Sequence, residues 1–193
     1  MKKLILLIFV ILTSSCSLVP TQRPVTIKEL LPVGSILNLT QTLVIPKDRS
    51  FIYIANGKVA PLKNYNTVDI YEPYCTFHLR SETKRAQQIE PDQFEVTKIT
   101  EWEGYHGFNG YMRFASKNIR TGGLIKTSFV NDNNGGPSIV MYATILRLQS
   151  NKQPDVKELV CGRWEQQSLA EPLTLEEMKT ALGDLIIISN KLI

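Results

Sequence analysis

SILNLTQTLVIPKDRSFIYIANGKVAPL, residues 35–62, reads with a period of two. Leu37, Leu39, Leu43 and Ile45 fall on one face of its first half, with Gln41 as the single interruption. Successive side chains of an extended chain point to opposite faces, so this spacing predicts half-buried strands rather than a helix. Asn56-Gly57 then separates residues 51–55 from 58–62. Both positions of a two-residue hairpin turn need positive φ, which this dipeptide tolerates. Pro61 has no N–H to give a sheet, and it pushes the second arm of the hairpin toward an edge.

The same period continues outward. Residues 68–72, 75–80, 94–99, 111–115, 124–130 and 138–148 read as further strands, with Cys75, Phe77 and Leu79 alternating inward. Asn131 to Pro137 (NDNNGGP) reads as a polar turn. Near the end the period changes. Thr174 and Glu177 have the spacing of a capping box, Pro172 precedes them and Gly183 follows. Leu175, Met178 and Leu182 share one helical face between those marks. Residues 185–189 (LIIIS) then read as a short buried strand or an apolar tail, and a shorter helix is expected around 82–88. The fold class expected is mainly β, a sandwich or open barrel-like sheet, with one C-terminal α-helix.

The chain has 193 residues, 43% hydrophobic and 21% charged, an ordinary globular balance that argues against a disordered or low-complexity chain. Its net charge is +4, and Lys2 and Lys3 at the extreme N-terminus supply two of those charges. No basic block suggests nucleic acid as a partner. No composition shift marks a second domain. The organisation expected is a signal segment at 1–15, a lipidated N-terminus and tether at 16–31, and one β-rich domain at 32–193.

That organisation rests on MKKLILLIFVILTSSC, residues 1–16. Two lysines precede an unbroken apolar run from Leu4 to Leu12, and small residues separate the run from Cys16. The run spans only about half of a ~30 Å hydrocarbon core, so it reads as a secretory signal rather than a permanent span. The end of the leader resembles the bacterial lipobox, a Leu-small-small-Cys pattern whose cysteine is diacylated and becomes the mature N-terminus. Thr13 stands where Leu is usual, and ordinary signal cleavage leaving a free Cys16 thiol is the competing reading. Ser17 after the cysteine resembles the sorting signal of Gram-negative outer-membrane lipoproteins. Several acyl chains would make such an anchor effectively permanent.

With Cys16 lipidated, Cys75 and Cys161 remain as one pair in an oxidising periplasm. A zinc site assembled from Cys75, His78, His106 and Cys161 competes with this pairing. It is weakened because residues 75–78 read as a strand, which turns Cys75 and His78 to opposite faces. The expectation is therefore a disulfide, no metal and no cofactor.

No nucleophile elbow, phosphate loop or zinc-protease motif occurs, and catalytic residues are assigned to none. The unusual stretch is 102–111, where Trp102, Tyr105, Phe108 and Tyr111 recur every third residue between Gly104, Gly107 and Gly110. Neither strand nor α-helix has that period, so these rings cannot all enter one core face. A glycine-bent loop or bulged hairpin covering the sheet edge accounts for them. The competing reading is a binding surface made of Trp102, Tyr105, His106, Phe108 and Tyr111.

The stretches GSILNLTQTLVIP (34–46), YEPYCTF (71–77), LVC (159–161) and LTLEEMKTALGD (173–184) resemble a family of small proteobacterial envelope lipoproteins without a well-defined activity. The resemblance implies an anchored, disulfide-bonded periplasmic domain and no catalytic residues. The function expected is non-catalytic: an outer-membrane lipoprotein on the periplasmic face that binds or supports an envelope protein or glycan. The alternatives are a cell-wall hydrolase using Glu101, Glu103 or His106, or an inhibitor of wall-degrading enzymes.

Overall fold

The computed structural model describes residues 27–60, 69–106, 112–115, 139–166 and 168–189. The leader, Cys16, Phe108, Tyr111, the strand expected at 124–130 and the turn at 131–137 lie outside the described residues.

One antiparallel sheet, curled into a half-barrel, dominates the fold. Its strands in spatial order are β11 (Ile186–Ser189), β1 (Ile36–Leu39), β7 (Asp92–His106), β9 (Ile139–Gln149), β10 (Val156–Gln166), β5 (Tyr74–Leu79), β3 (Phe51–Ala55) and β4 (Lys58–Val59). β8 (Met112–Ala115) adds to the far end of β7. β2 (Leu43–Ile45) pairs with β6 (Gln87–Ile89) as a separate ribbon. A single turn of helix, α1 (Ile27–Leu30), precedes β1.

The helix expected from the capping box is α2 (Leu175–Leu182). The Thr174 side chain accepts from the Glu177 N–H, and the Glu177 carboxylate accepts from the Thr174 N–H at 2.8 Å. Eight residues are too few for a stable helix in water, so packing holds this one. Met178, Ala181 and Leu182 are buried, and full burial of a Met or Leu side chain is worth about 1.5–3 kcal/mol. α2 rests on β11 at one end of the strand order and on β5 and β3 near the other. The helix thus fills the gap that the curled sheet leaves open. Its C-terminus is tied across that gap, since Gly57 N–H in the β3–β4 turn donates to Ala181 O at 3.0 Å. Gly183, at φ 53° and ψ −140°, closes the helix directly against Gly57.

Everything facing α2 forms one core, with Leu37, Ile52, Phe77, Phe94, Leu146, Leu159 and Met178 all fully buried. The Phe77 and Phe94 rings meet edge-on at 5.8 Å. Cys75 and Cys161 are directly opposed on β5 and β10, fully buried, and joined as a disulfide with the sulfurs 2.06 Å apart. Their sulfurs are committed to each other, and strand alternation turns His78 to the other side.

Three expectations are corrected. Of the strand expected at 68–72, residues 69–72 form a turn in which the Tyr71 N–H bonds the Asp69 carboxylate (3.0 Å) and the Glu72 N–H bonds Asp69 O (3.2 Å). The Asp side chain here satisfies a backbone donor that a strand would have offered to a neighbour. No helix forms at 82–88 either. Asp48 N–H bonds Thr83 O at 2.8 Å, and Gln87–Ile89 pairs with β2, so cross-strand pairing overrides a weak helical pattern. β10 was not foreseen beyond the short apolar LVC. Its register shifts between Val156 and Glu158, and such a bulge reverses the alternation that a sequence reading depends on.

Candidate functional site

β7 is much longer than residues 94–99. It runs unbroken to His106 and pairs antiparallel with β8, so of the two forms expected for this stretch Trp102 to Tyr105 fit the arm of a hairpin rather than a glycine-bent loop. Its far half pairs with β9 on one side and β8 on the other, with Tyr105 opposite Val140 and Arg113, and His106 opposite Ile139 and Met112. The pairing on both sides holds Gly104 extended despite its freedom.

Trp102 lies on the outer face, and its ring folds back over Gly104, where a β-carbon would come within 2.2 Å of it. Tyr105 and His106 stand at the end of the same strand. Phe108 and Tyr111 lie outside the described residues. Glu101 and Glu103 share the inner face of β7.

What Trp102 joins is a second apolar cluster on the outer face. Tyr74, Met141, Ala143 and Trp164 form its buried centre, and Tyr53, Ile70, Trp102 and Ile139 pack around them. The register builds it: Trp102 faces Ala143, Ala143 faces Gly162, and Gly162 faces Tyr74. Small residues in the middle of this row leave room for rings from its ends. Gly162 is required for that room, because a β-carbon there would lie 2.6 Å from the Met141 methyl and 2.7 Å from Tyr142 O. The Tyr53 and Tyr74 rings are 5.8 Å apart, and the Tyr74 hydroxyl reaches the Met141 sulfur at 3.6 Å. Burial, reinforced by Tyr53, pushes the Tyr74 phenol up to about 12, so it stays a neutral donor.

Two strand positions away the outer face becomes polar. Lys98, Arg147, Glu158, His78 and Phe51 form one cross-strand row. Glu158 is buried but paired, with Arg147 at 2.9 Å and Lys157 at 3.0 Å. His78 stacks on Phe51 at 5.2 Å and hydrogen-bonds Thr76 at 2.7 Å. Burial holds this imidazole below its ordinary pKa, against the pull of Glu158. A neutral, half-buried ring with both neighbours engaged is a packing residue.

At the mouth of the inner face, Glu103 opposes Tyr142 and Tyr142 opposes Arg163. Burial and then the Glu103 carboxylate, which accepts its hydrogen bond, raise the Tyr142 phenol. Arg163 donates to Glu165 at 3.2 Å and to Glu177, so it clamps β10 to the first turn of α2. Burial alone would raise the Glu177 pKa, yet bonds from Thr174 and Arg163 hold it below the usual carboxylate range.

A shallow depression lies at the other end of β7, lined by Asn38, Asp92, Gln93, Ser150 and Lys152. Its Asp92 carboxylate accepts from Ser150 and from Gln153 Nε2 at 3.4 Å, with Lys152 at 3.9 Å. Gln153 also exchanges two bonds with the Glu90 backbone, at 3.0 and 2.8 Å. These groups satisfy one another and lock the β9–β10 turn onto the start of β7. Among the described residues no three metal-ligating side chains converge.

No family model, curated protein or solved structure matches the chain. The reading must therefore come from its own residues.

Tyr53, Tyr74 and Met141 do not stand out in the sequence, and Trp164 does so only within Gly162-Arg163-Trp164. Tyr74 is adjacent to inward Cys75, and Trp164 is three residues from inward Cys161. Aromatics out of phase with a buried cysteine were the available signal.

Proposed function

We propose that the protein is an outer-membrane lipoprotein whose β-domain binds or supports another envelope component without catalysis. The observation that carries this reading is the leader, a lysine pair and a nine-residue apolar run ending in small residues and Cys16. The buried Cys75–Cys161 disulfide supports an oxidising compartment. The likeness of residues 34–46, 71–77 and 173–184 to small envelope lipoproteins supports the same reading. The surface proposed for the partner is the outer face of β7, β9 and β10 around Trp102.

Fractionation of cells tests the anchor. A Cys16→Ala variant loses acylation and leaves the washed membrane fraction, because lipid is what holds the β-domain there. Retention of that variant in outer membranes would refute the proposal.

A further inference from the structure

The place where the tether enters the domain has a surface of its own. Ile27 and Leu31, one helical turn apart, are buried at 2% and 0% exposure and pin the chain into the core. Between and beyond them Leu30 is 44% and Val33 62% exposed. Two exposed large apolar residues thus lie within the first seven described positions.

From Cys16 to Ile27 there are eleven Cα steps, at most ~38 Å fully extended. A domain of about 160 residues has a radius of gyration of roughly 15 Å. The tether is thus no longer than the domain is wide, and it keeps the α1 corner within about one domain width of the headgroups.

The corner is also locked to one end of the long strand. Gly34 N–H donates to Val96 O at 2.8 Å, and Val96 N–H donates to Ser35 O at 2.9 Å. From Val96 the strand continues to His106, about 30 Å at the usual rise per residue. The β7–β9 arm, with Trp102 near its end, thus extends away from the corner that the tether holds.

Resting on the anchor proposed above, we infer that the α1 corner, through Leu30 and Val33, docks on the lipid surface, and that the β7–β9 arm is held away from it. The occupant is the bilayer interface, because the tether keeps this corner within one domain width of the membrane. Residue Leu169 supplies the comparison. It is as exposed as Val33 at 62%, but it follows Gln166, whose register partner Ile139 faces His106 at the far end of the arm.

The test uses the full acylated chain purified from membranes and reconstituted in phosphatidylethanolamine–phosphatidylglycerol vesicles. Single Leu30→Cys, Val33→Cys, Leu169→Cys and Glu101→Cys variants carry an environment-sensitive dye, and nitroxide-labelled lipid is the quencher. All four positions are exposed or lie at the surface of a strand, so the fold tolerates the change. The inference expects at least a twofold loss of dye emission at 30 and 33 and little at 169 and 101. Vesicles that float with the protein but leave 30 and 33 unquenched overturn this inference alone. Equal quenching at all four positions also overturns it, because the domain then has no fixed orientation. Protein that fails to float with vesicles overturns the anchor and, with it, the inference.

Discussion

Replacing Gly183 by alanine should open the contact that closes the half-barrel. Gly183 has φ 53°, and a β-carbon there would lie 2.5 Å from Gly57 Cα and 3.2 Å from Gly57 N. Neither atom is the free end of a side chain, so relief requires the β3–β4 turn and the end of α2 to move apart. Holding alanine in this backbone region costs about 1–3 kcal/mol. Forcing the two backbones apart adds the usual ~1–3 kcal/mol of overpacking. Gly34→Ala isolates the first contribution, because Gly34 also has positive φ (93°) but its nearest foreign atom is 4.0 Å away. The difference between the two variants should then be about 2 kcal/mol. In a domain of this size that is roughly 4–8 °C in Tm, since 1 kcal/mol moves it by about 2–4 °C. Urea denaturation and thermal melts of both variants measure it. Equal stability of the two would refute the claim that the Gly57–Gly183 contact closes the fold.

Other perturbations separate packing from binding. Intact mass with and without reductant should differ by two hydrogens, and Cys75→Ala with Cys161→Ala should cost up to ~4–5 kcal/mol for a loop of 86 residues; unchanged stability would remove the bond from the account. Burial lowers the His78 pKa, while the unfolded chain binds its proton near pH ~6.5. The unfolded state is thus favoured once protons are available: stability is complete above that pH and declines as pH falls toward the folded pKa. Melts between about pH 7.5 and 5 should show this decline in the parent and a flatter profile in His78→Gln, and parallel profiles would contradict it. Trp102→Ala should cost about 3 kcal/mol, the low end for a truncated aromatic, because its ring is only partly buried over Gly104; an unchanged melt would show that the ring adds nothing to the packing of the outer-face cluster.

The elements that local chemistry decides were readable in the sequence. Thr174, Glu177 and Gly183 mark α2 because capping residues act within one turn, and Asn56-Gly57 marks the β3–β4 turn because only positive φ closes it. Asn56 indeed has φ 51° and Gly57 φ 71°. Features decided by distant strands were not readable. β10 hides behind the bulge at Val156 and Glu158, and β6 forms because β2 is there to pair with it. The bulge between Val96 and Lys98 likewise reverses alternation inside β7. The candidate surface suffered most from this. Trp102 was visible as part of an aromatic repeat, but its neighbours Tyr53, Tyr74 and Trp164 come from three other strands, and only the register assembles them.

The central claim is that Cys16 is the lipid-bearing first residue of the mature protein. Intact-mass and N-terminal peptide analysis of the chain extracted from bacterial membranes tests it most directly. The account predicts a mature chain that begins at Cys16 and carries diacylglycerol and amide-linked acyl chains on that residue. A chain that begins elsewhere, or one with an unmodified Cys16 thiol, would contradict it.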